Sequence, residues 1–320
     1  MTCDVRTPSV SESPLLQYGS TGVLVYFDTN VFDPRDGVTE EKEHLILNAL
    51  RSQRFRLVFD LDCFLEPLLA FQGLASDVMP RAACQLERMV KWCDRRRVVK
   101  TAASLLEQAV ISYSRGLAQV EPFLDRKQLD EEIEKELTNW DRERSPQSAL
   151  WQAIASDVQR ARESFRANFM NLLQELGPRD GFAPGARIPT FDEFWNQHKH
   201  SVAQTFVEGV GEELKQPGLW QICSERGTDG LLNLGCVNLA VGATIAHMYA
   251  HFYNEGRQIP KIRQSEAADV RHAIAASVAE IFVTNDSRLY GQLSAVPIKD
   301  FRIVELKTFL TELQESAIGR

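Results

Sequence analysis

The sequence predicts an α/β protein with a mostly parallel central sheet flanked by helices and with a large all-α insertion. Two observations predict this class. Near both ends of the chain, short apolar, β-prone segments alternate with segments of helical periodicity, a pattern typical of parallel sheets. Between those ends, from about residue 75 to 262, helical periodicity continues with almost no strand signal.

Four terminal segments are predicted to form strands. Val23–Phe27 is a short apolar run suited to a strand buried on both faces. The other three predicted strands are 56–59, Ile281–Thr284 and 302–306. Helical spacing predicts helices at about 41–50, 61–71 and 265–280, the last with Ser265 as its N-cap, and a short helix after the fourth strand.

The same patterns predict the domain organisation. Residues 1–20 are polar and contain Pro and Ser, which predicts a flexible tail. Residues 21–74 and 263–320 form the predicted α/β domain, and 75–262 form the helical insertion, part of which can complete the α/β core. Within the insertion, 130–140 and 151–176 are amphipathic, 178–189 has the Pro and Gly content of a loop, and 231–253 is an apolar helical region.

The composition limits the class of protein. With 44% hydrophobic and 25% charged residues over 320 positions, it is that of a soluble globular protein. The sequence contains no apolar run of about 18 residues and no secretory-signal pattern, so no membrane partner is expected. The six cysteines form no CxxC pair, which predicts reduced thiols and a cytoplasmic location. The net charge of -8 argues against nucleic-acid binding over the whole surface, but it is compatible with a local basic patch.

Four acidic residues lie where predicted strands end or where the following helices begin. Asp28 and Asp286 lie just beyond the C-terminal ends of the first and third strands, where open parallel sheets present functional residues. Glu66 and Asp269 lie near helix starts among apolar neighbours. Four converging carboxylates raise one another's pKa unless a cation neutralises them. An all-oxygen site of this kind suits Mg²⁺ or Mn²⁺.

The segments around these acids resemble PIN-domain nucleases. Residues 26–31 (YFDTNV) resemble the opening strand and D-T-N motif of that family, and residues 64–66 (FLE) resemble its second acid. Residues 269–273 (DVRHA) and 281–286 (IFVTND) resemble the third acid and the T-N-D motif of the fourth. Residues 302–310 are similar to the closing strand and helix. PIN domains usually place far fewer residues between the second and third acids, so the long insertion is a departure from the family pattern.

The resemblance implies metal-dependent hydrolysis of a phosphodiester, in RNA more than in DNA and in single-stranded RNA above all. It implies that Asp28, Asp269 and Asp286 hold Mg²⁺ or Mn²⁺ directly or through water. Glu66 would complete the set of ligands or orient the nucleophile. The insertion would then serve as a lid, a substrate channel or a surface for a protein partner.

Polar and basic neighbours of the acids complete the predicted site. The residues expected to hydrogen-bond to the acids and position them are Asn30, Thr284, Asn285 and Ser287. The residues expected to contact phosphates, although a solvated helix face is the commoner explanation for the first three, are Arg88, Lys91, Arg95, Arg271 and Arg288.

Three alternatives remain open from the sequence. A catalytically silent PIN-like scaffold would bind proteins through its insertion. Residues 57–62 (LVFDLD) resemble the first motif of haloacid-dehalogenase phosphatases, with Asp60 as nucleophile, although Asp60 or Asp62 is better explained as a cap of the following helix. His247 and His251, with Glu255 one turn further on, share a helical face but lack the glutamate of the zincin motif, which favours a solvent-facing or core pair over a metal site.

Overall fold

The structure is a computed structural model that describes residues 22–35, 38–60, 63, 66–67, 78–93, 97–117, 121–125, 160, 163, 167–175, 187–254, 264–298 and 301–318. The predicted tail at 1–20 and the predicted helix at 130–140 lie outside those residues. So do Asp62, Arg95, Glu255 and most of the predicted loop at 178–189.

A five-stranded sheet, in which every pair of neighbouring strands is parallel, forms the centre of the fold. Its strands are β1 (Val23–Phe27), β2 (Phe55–Asp60), β3 (Val98–Val99), β4 (Ile281–Thr284) and β5 (Arg302–Glu305). They lie in the order β3–β2–β1–β4–β5, so β1 is central and pairs with β2 on one side and with β4 on the other. The predicted parallel α/β class is therefore confirmed.

The apolar character of β1 and β4 explains their central position. Every residue of β4 is buried, and Val23, Val25, Tyr26 and Phe27 of β1 are fully buried. A strand with apolar side chains on both faces is stable only where helices cover both sides of the sheet. This requirement places β1 and β4 side by side inside the sheet, where each has a strand on both sides.

Helices connect and cover the strands. In chain order they are α1 (Glu40–Arg51), α2 (Val78–Trp92), α3 (Ala102–Arg115), α4 (Phe191–Glu213), α5 (Leu219–Arg226), α6 (Thr228–Leu232), α7 (Gly235–Tyr249), α8 (Gln264–Ala276), α9 (Ser287–Leu293) and α10 (Leu306–Ile318). A 3₁₀ turn, Thr29–Phe32, follows β1, and a π-helical turn, Ala250–Asn254, extends α7. Residues 167–175 are also helical, with Phe169, Leu172 and Leu173 buried, as the predicted amphipathic stripe requires.

Helix α7 joins the middle of the chain to the sheet domain. It is buried along almost its whole length, which agrees with the apolar region predicted at 231–253. Its neighbours include α4, from the middle of the chain, and α8, which carries Asp269. The middle of the chain thus packs directly against the helix that holds one of the predicted acids.

Strand β3 differs from the expectation that 75–262 would be helical throughout. Its two residues pair with Phe59 and Asp60 at the end of β2 and extend the sheet by one strand. A two-residue strand is too short to show an alternating pattern, so its sequence carries no recognisable signal. In the described part of the chain, no helix combines the length and the apolar character needed to cross a lipid bilayer.

Candidate metal site

Two of the predicted acids lie close to the C-terminal ends of adjacent strands. Asp28 and Asp286 follow β1 and β4, which are adjacent and parallel, and the backbone N–H of Asp28 donates to the carbonyl of Val283 at 2.9 Å. The strand order reverses between these two strands, because β2 and β3 lie on one side and β5 on the other. Open α/β sheets bind ligands in the crevice that such a reversal creates.

Asp28 is held rigidly at this end of the sheet. Its side chain is buried, and its Oδ2 accepts hydrogen bonds from Asn30 Nδ2 and Thr284 Oγ1, each at 2.7 Å. Burial raises the pKa of Asp28, and the charges of Glu66 and Asp286 raise it further, against the lowering effects of His272 and Thr284. The hydrogen bonds predicted from Asn30 and Thr284 are therefore present, on the most confined of the acids.

Asp269, on α8, is the acid whose ionisation is most disfavoured. Burial raises its pKa to about 8, with Asp28 and Asp286 adding to the rise. Arg288 acts in the opposite direction, because its Nη2 donates to Asp269 Oδ2 at 3.1 Å. Without a further cation, one guanidinium is not enough to keep this carboxyl group ionised at neutral pH.

Asp286 has a structural role as well. Its Oδ1 accepts from the backbone N–H groups of Arg288 and Leu289, at 2.8 and 3.0 Å, and so caps α9. Its own N–H donates to Thr284 Oγ1 at 3.0 Å. Asn285 contributes its backbone N–H to Asn30 Oδ1 at 3.0 Å. Ser287 begins α9 and is exposed.

Glu66 is held by a buried histidine that the sequence did not predict. The Nε2 atom of His272 lies 3.1 Å from Glu66 Oε2 and 3.2 Å from Thr29 Oγ1, and its Nδ1 lies 2.8 Å from the hydroxyl of Tyr26. Burial acts to raise the pKa of Glu66, but His272 outweighs it and lowers the pKa to about 2. Burial likewise acts to lower the pKa of His272, but Cys63 and Glu66 raise it to well above its usual value.

The four predicted acids do not form a compact group of ligands. Among the described residues, one group of three potential ligands has its ligating atoms within 4.8 Å of one another, and it consists of Asp60, Cys63 and His272. No three of the predicted acids meet that criterion there. Carboxylates repel one another when no cation lies between them, which is a sufficient reason for the looser arrangement.

The group of Asp60, Cys63 and His272 is completely enclosed and has a different chemistry. A sulfur and an imidazole nitrogen would suit Zn²⁺ better than Mg²⁺. Burial raises the pKa of Cys63 to about 12, so the thiol is neutral near pH 7. Asp60 is fully buried, and its Oδ1 accepts from the backbone N–H of Cys63 at 2.6 Å, which is the capping role preferred for it in the sequence.

The predicted phosphate-binding residues fall into two groups. Arg88 donates to the carbonyl oxygens of Phe32 and Val38, and Lys91 donates to Glu43 at 2.8 Å, so both stabilise the loop and helix after β1. Arg271 and Arg288 lie at the acids instead. Arg271 contributes to the lowered pKa of Glu66, and Arg288 pairs with Asp269.

The middle of the chain supplies two buried histidines beside the acids. His247 is 1% exposed, its Nε2 lies 3.7 Å from Asp269 Oδ2, and burial lowers its pKa to about 4. His251 Nε2 lies 3.0 Å from a carboxylate oxygen of Glu266. Both side chains are buried, which agrees with the core alternative for this pair.

A sequence signal for His272 did exist: it lies three residues after Asp269, on the same helical face.

Comparison of the chain with protein-family models, with curated proteins and with solved structures found no match.

Proposed function

We propose that this chain is a Mg²⁺- or Mn²⁺-dependent phosphodiester hydrolase, a PIN-like endonuclease that acts on RNA in preference to DNA. The observation that carries the proposal is electrostatic. Burial raises the pKa of Asp28 and of Asp269, and nearby carboxylates raise both further, where the strand order reverses: Asp286 acts on Asp28, and Asp28 and Asp286 act on Asp269. A fold that brings repelling carboxylates to that place gains stability only when a cation joins them.

The donor atoms fit a hard divalent ion. All four candidate ligands are carboxylates, which Mg²⁺ and Mn²⁺ prefer to softer donors. Asp28 is oriented by Asn30 and Thr284, in the way that outer partners orient metal ligands. The RNA preference rests on the resemblance of residues 26–31 and 281–286 to the PIN motifs.

The residues of the chain would divide the work of hydrolysis. The ion, when bound, would polarise a phosphate oxygen and make a bound water more acidic. Asp28 and Asp286 would hold that ion, and the position of the ion would determine where the phosphate binds. Glu66, kept ionised by His272, would accept a hydrogen bond from the attacking water and orient it. Arg288 would exchange part of its contact with Asp269 for a phosphate oxygen.

The test compares Asp28→Asn and Asp286→Asn with the wild type on labelled single-stranded RNA and DNA, with Mn²⁺ or with a chelator. We expect cleavage to require the metal and to fall at least about 100-fold in each variant, since even outer partners of ligands are worth about 10–100-fold. Asp229→Asn is the matched control, because Asp229 has an 85% exposed side chain on α6, and it should cleave as the wild type does. Cleavage that survives both substitutions contradicts the proposal.

Metal binding separates the nuclease from a silent scaffold. Calorimetric titration of the wild type with Mn²⁺ should show binding that weakens in both variants and not in Asp229→Asn. A folded wild type that binds no metal and cuts neither nucleic acid would favour the scaffold alternative.

A further inference from the structure

A cavity of about 400 Å³ opens beside the candidate site. Its walls come from the middle of the chain, with Phe191 of α4 and Ala246 and Tyr249 of α7, and from α9 of the sheet domain. Ser287 and Arg288, the two residues after Asp286, lie in that second wall. A group bound in the cavity would therefore sit next to whatever the acids hold, and its size is that of a small-molecule site.

Two polar atoms of residues in the cavity wall are buried and make no hydrogen bond. One is the Nη1 donor of Arg288, and the other is the Oε1 acceptor of Gln292. The ion pair from Arg288 Nη1 to Glu266 Oε1 spans 3.7 Å, which is too long for a hydrogen bond. A buried donor and a buried acceptor without partners are costly. Both atoms are closed off from solvent, so a ligand in the cavity satisfies them only when the side chains of Arg288 and Gln292 turn towards it.

The same cavity has two aromatic rings in its wall. Phe191 and Tyr249 pack edge to face, with ring centroids 5.6 Å apart and planes at 84°. The hydroxyl of Tyr249 donates to the carbonyl of Pro189 at 2.9 Å, which fixes the ring in place. Fixed aromatic rings provide the stacking surface on which proteins hold unpaired bases.

We propose that this cavity binds one unpaired nucleotide of a single-stranded nucleic acid, next to the scissile phosphate; the assignment rests on the proposed phosphodiester hydrolysis. The base would lie against Phe191 or Tyr249. On binding, the side chain of Gln292 would turn to accept an amino or imino N–H of the base, and that of Arg288 would turn to donate to the adjacent phosphate. A base inside a duplex is stacked on both faces and hydrogen-bonded along its edge. The cavity therefore selects single strands, and it gives the middle of the chain a role in substrate binding.

The test fills the cavity from its rim. Gly291 lies in the wall, and a Cβ added there meets nothing within 4 Å, so Gly291→Leu adds a bulky side chain at the cavity wall without a clash. Gly209 of α4 has equally open surroundings and is not among the residues that line this cavity, which makes Gly209→Leu the matched control. Fluorescence anisotropy would measure the binding of a labelled single-stranded RNA 12-mer, its fully abasic analogue and a blunt-ended RNA duplex.

We expect Gly291→Leu to weaken binding of the single strand about tenfold, the size of a lost stacking contact. Gln292→Leu, which removes the acceptor, should weaken it less, and Gly209→Leu should leave it unchanged. The abasic strand should bind the wild type about as weakly as the intact strand binds Gly291→Leu. Binding of the duplex should be insensitive to Gly291→Leu.

Two results would overturn the assignment: a wild type that binds the abasic and intact strands equally, or a Gly291→Leu variant that keeps wild-type affinity for the intact strand. Cleavage is scored separately on the same samples with Mn²⁺. Metal-dependent cleavage together with unchanged binding in Gly291→Leu would remove the cavity assignment and leave the proposed hydrolase. Base-dependent binding without cleavage would remove the proposed hydrolase and leave the cavity as a nucleotide-binding site.

Discussion

The side chain of His272 links α8 to two other segments of the chain, the end of β1 and the segment that contains Glu66. It lies within hydrogen-bond distance of Tyr26 on β1, of Thr29 after it, and of Glu66 before α2. The imidazole is 2% exposed, so water cannot replace any of these partners. Its loss would leave several buried polar groups unsatisfied and open a cavity between the sheet and α8.

We predict that His272→Ala lowers the free energy of unfolding by about 2–4 kcal/mol. His272→Gln, which keeps an N–H donor near Glu66, should lose clearly less. Urea denaturation in the presence of a chelator measures both. The control is His200→Ala, since His200 has a 54% exposed side chain and should change stability by less than about 0.5 kcal/mol. Equal losses in the alanine and glutamine variants would show that packing, and not the hydrogen bonds, is what His272 provides.

Asp269 makes stability depend on pH in the metal-free protein. Its pKa in the folded protein is about 8, above the usual value of about 3.9 in an unfolded chain. A group whose pKa is raised on folding contributes stability that is complete below the unfolded pKa and is lost as the pH rises through the folded value. Metal-free protein should therefore become less stable between about pH 4 and pH 8.

We predict that Asp269→Asn is more stable than the wild type at pH 9 and close to it at pH 5, in urea titrations with a chelator. Asparagine cannot ionise, and it keeps an acceptor oxygen for Arg288. If the stability of the variant relative to the wild type were instead lower at pH 9 than at pH 5, the ion pair with Arg288 would outweigh the cost of burying the charge.

At the residue scale, position relative to strands made the acids predictable. Asp28 and Asp286 lie within a few residues of the ends of apolar runs, and the end of a parallel strand is a recognisable place for a functional group. His247 was not recognised as a neighbour of the acids, because its position depends on how α7 packs against α8. His272 was missed although it lies three residues after Asp269, because that spacing alone does not show that the helical face is turned towards Glu66. Arg88 has the opposite history. Its place in a basic stripe suggested phosphate binding, whereas the structure uses it to hold backbone carbonyls.

At the scale of elements, the strands with the strongest apolar character were predicted best. The predicted bounds of β1 and β4 agree with the structure at both ends, and β5 differs by one residue. Strand β3 was missed because two residues cannot display a period. Tertiary pairing with the end of β2, and not intrinsic propensity, makes Val98 and Val99 a strand.

Helix α7 depends on a glycine at its closest contact. A Cβ on Gly242 would meet Val296 Cγ1 well inside van der Waals distance, and Val296 is a stiff, buried side chain just after α9. We predict that Gly242→Ala destabilises the protein by about 1–3 kcal/mol, although alanine is intrinsically the better helix former. The same change at Gly209, which has nothing within 4 Å, should stabilise by up to about 1 kcal/mol.

A double-mutant cycle in thermal or urea unfolding checks the cause. Val296→Ala should remove most of the penalty of Gly242→Ala, so the two changes should be strongly non-additive. Additive losses would mean that the helix adjusts at some other contact, and Gly242 would then have no special packing role.

At the scale of the molecule, one connected core includes the sheet and the described helices of the middle segment. Phe27 and Phe282 of the strands belong to the same buried cluster as Phe194 and Val202 of α4 and Ile245 of α7. Sequence patterns predicted a boundary near residues 75 and 262, where the period changes. They could not show whether packing crosses that boundary, because an amphipathic pattern does not indicate which other element the apolar face packs against. The boundary itself remains a prediction.

The shared core predicts cooperative unfolding. Trp92 packs against Phe32 next to the sheet, with ring centroids 5.5 Å apart, whereas Trp195 is buried on α4 in the middle of the chain. The chain has five tryptophans, so variants that retain only Trp92 or only Trp195, with the other four replaced by Phe, report separately on the two regions. Because helices α4, α7 and α8 pack in succession against the sheet domain, we expect the urea midpoints of Trp92 fluorescence, Trp195 fluorescence and far-ultraviolet circular dichroism to coincide. A transition of Trp195 at lower urea, with Trp92 still native, would show instead that the middle of the chain unfolds on its own. In that case the wall that carries Phe191 and Tyr249 could open independently of the acids.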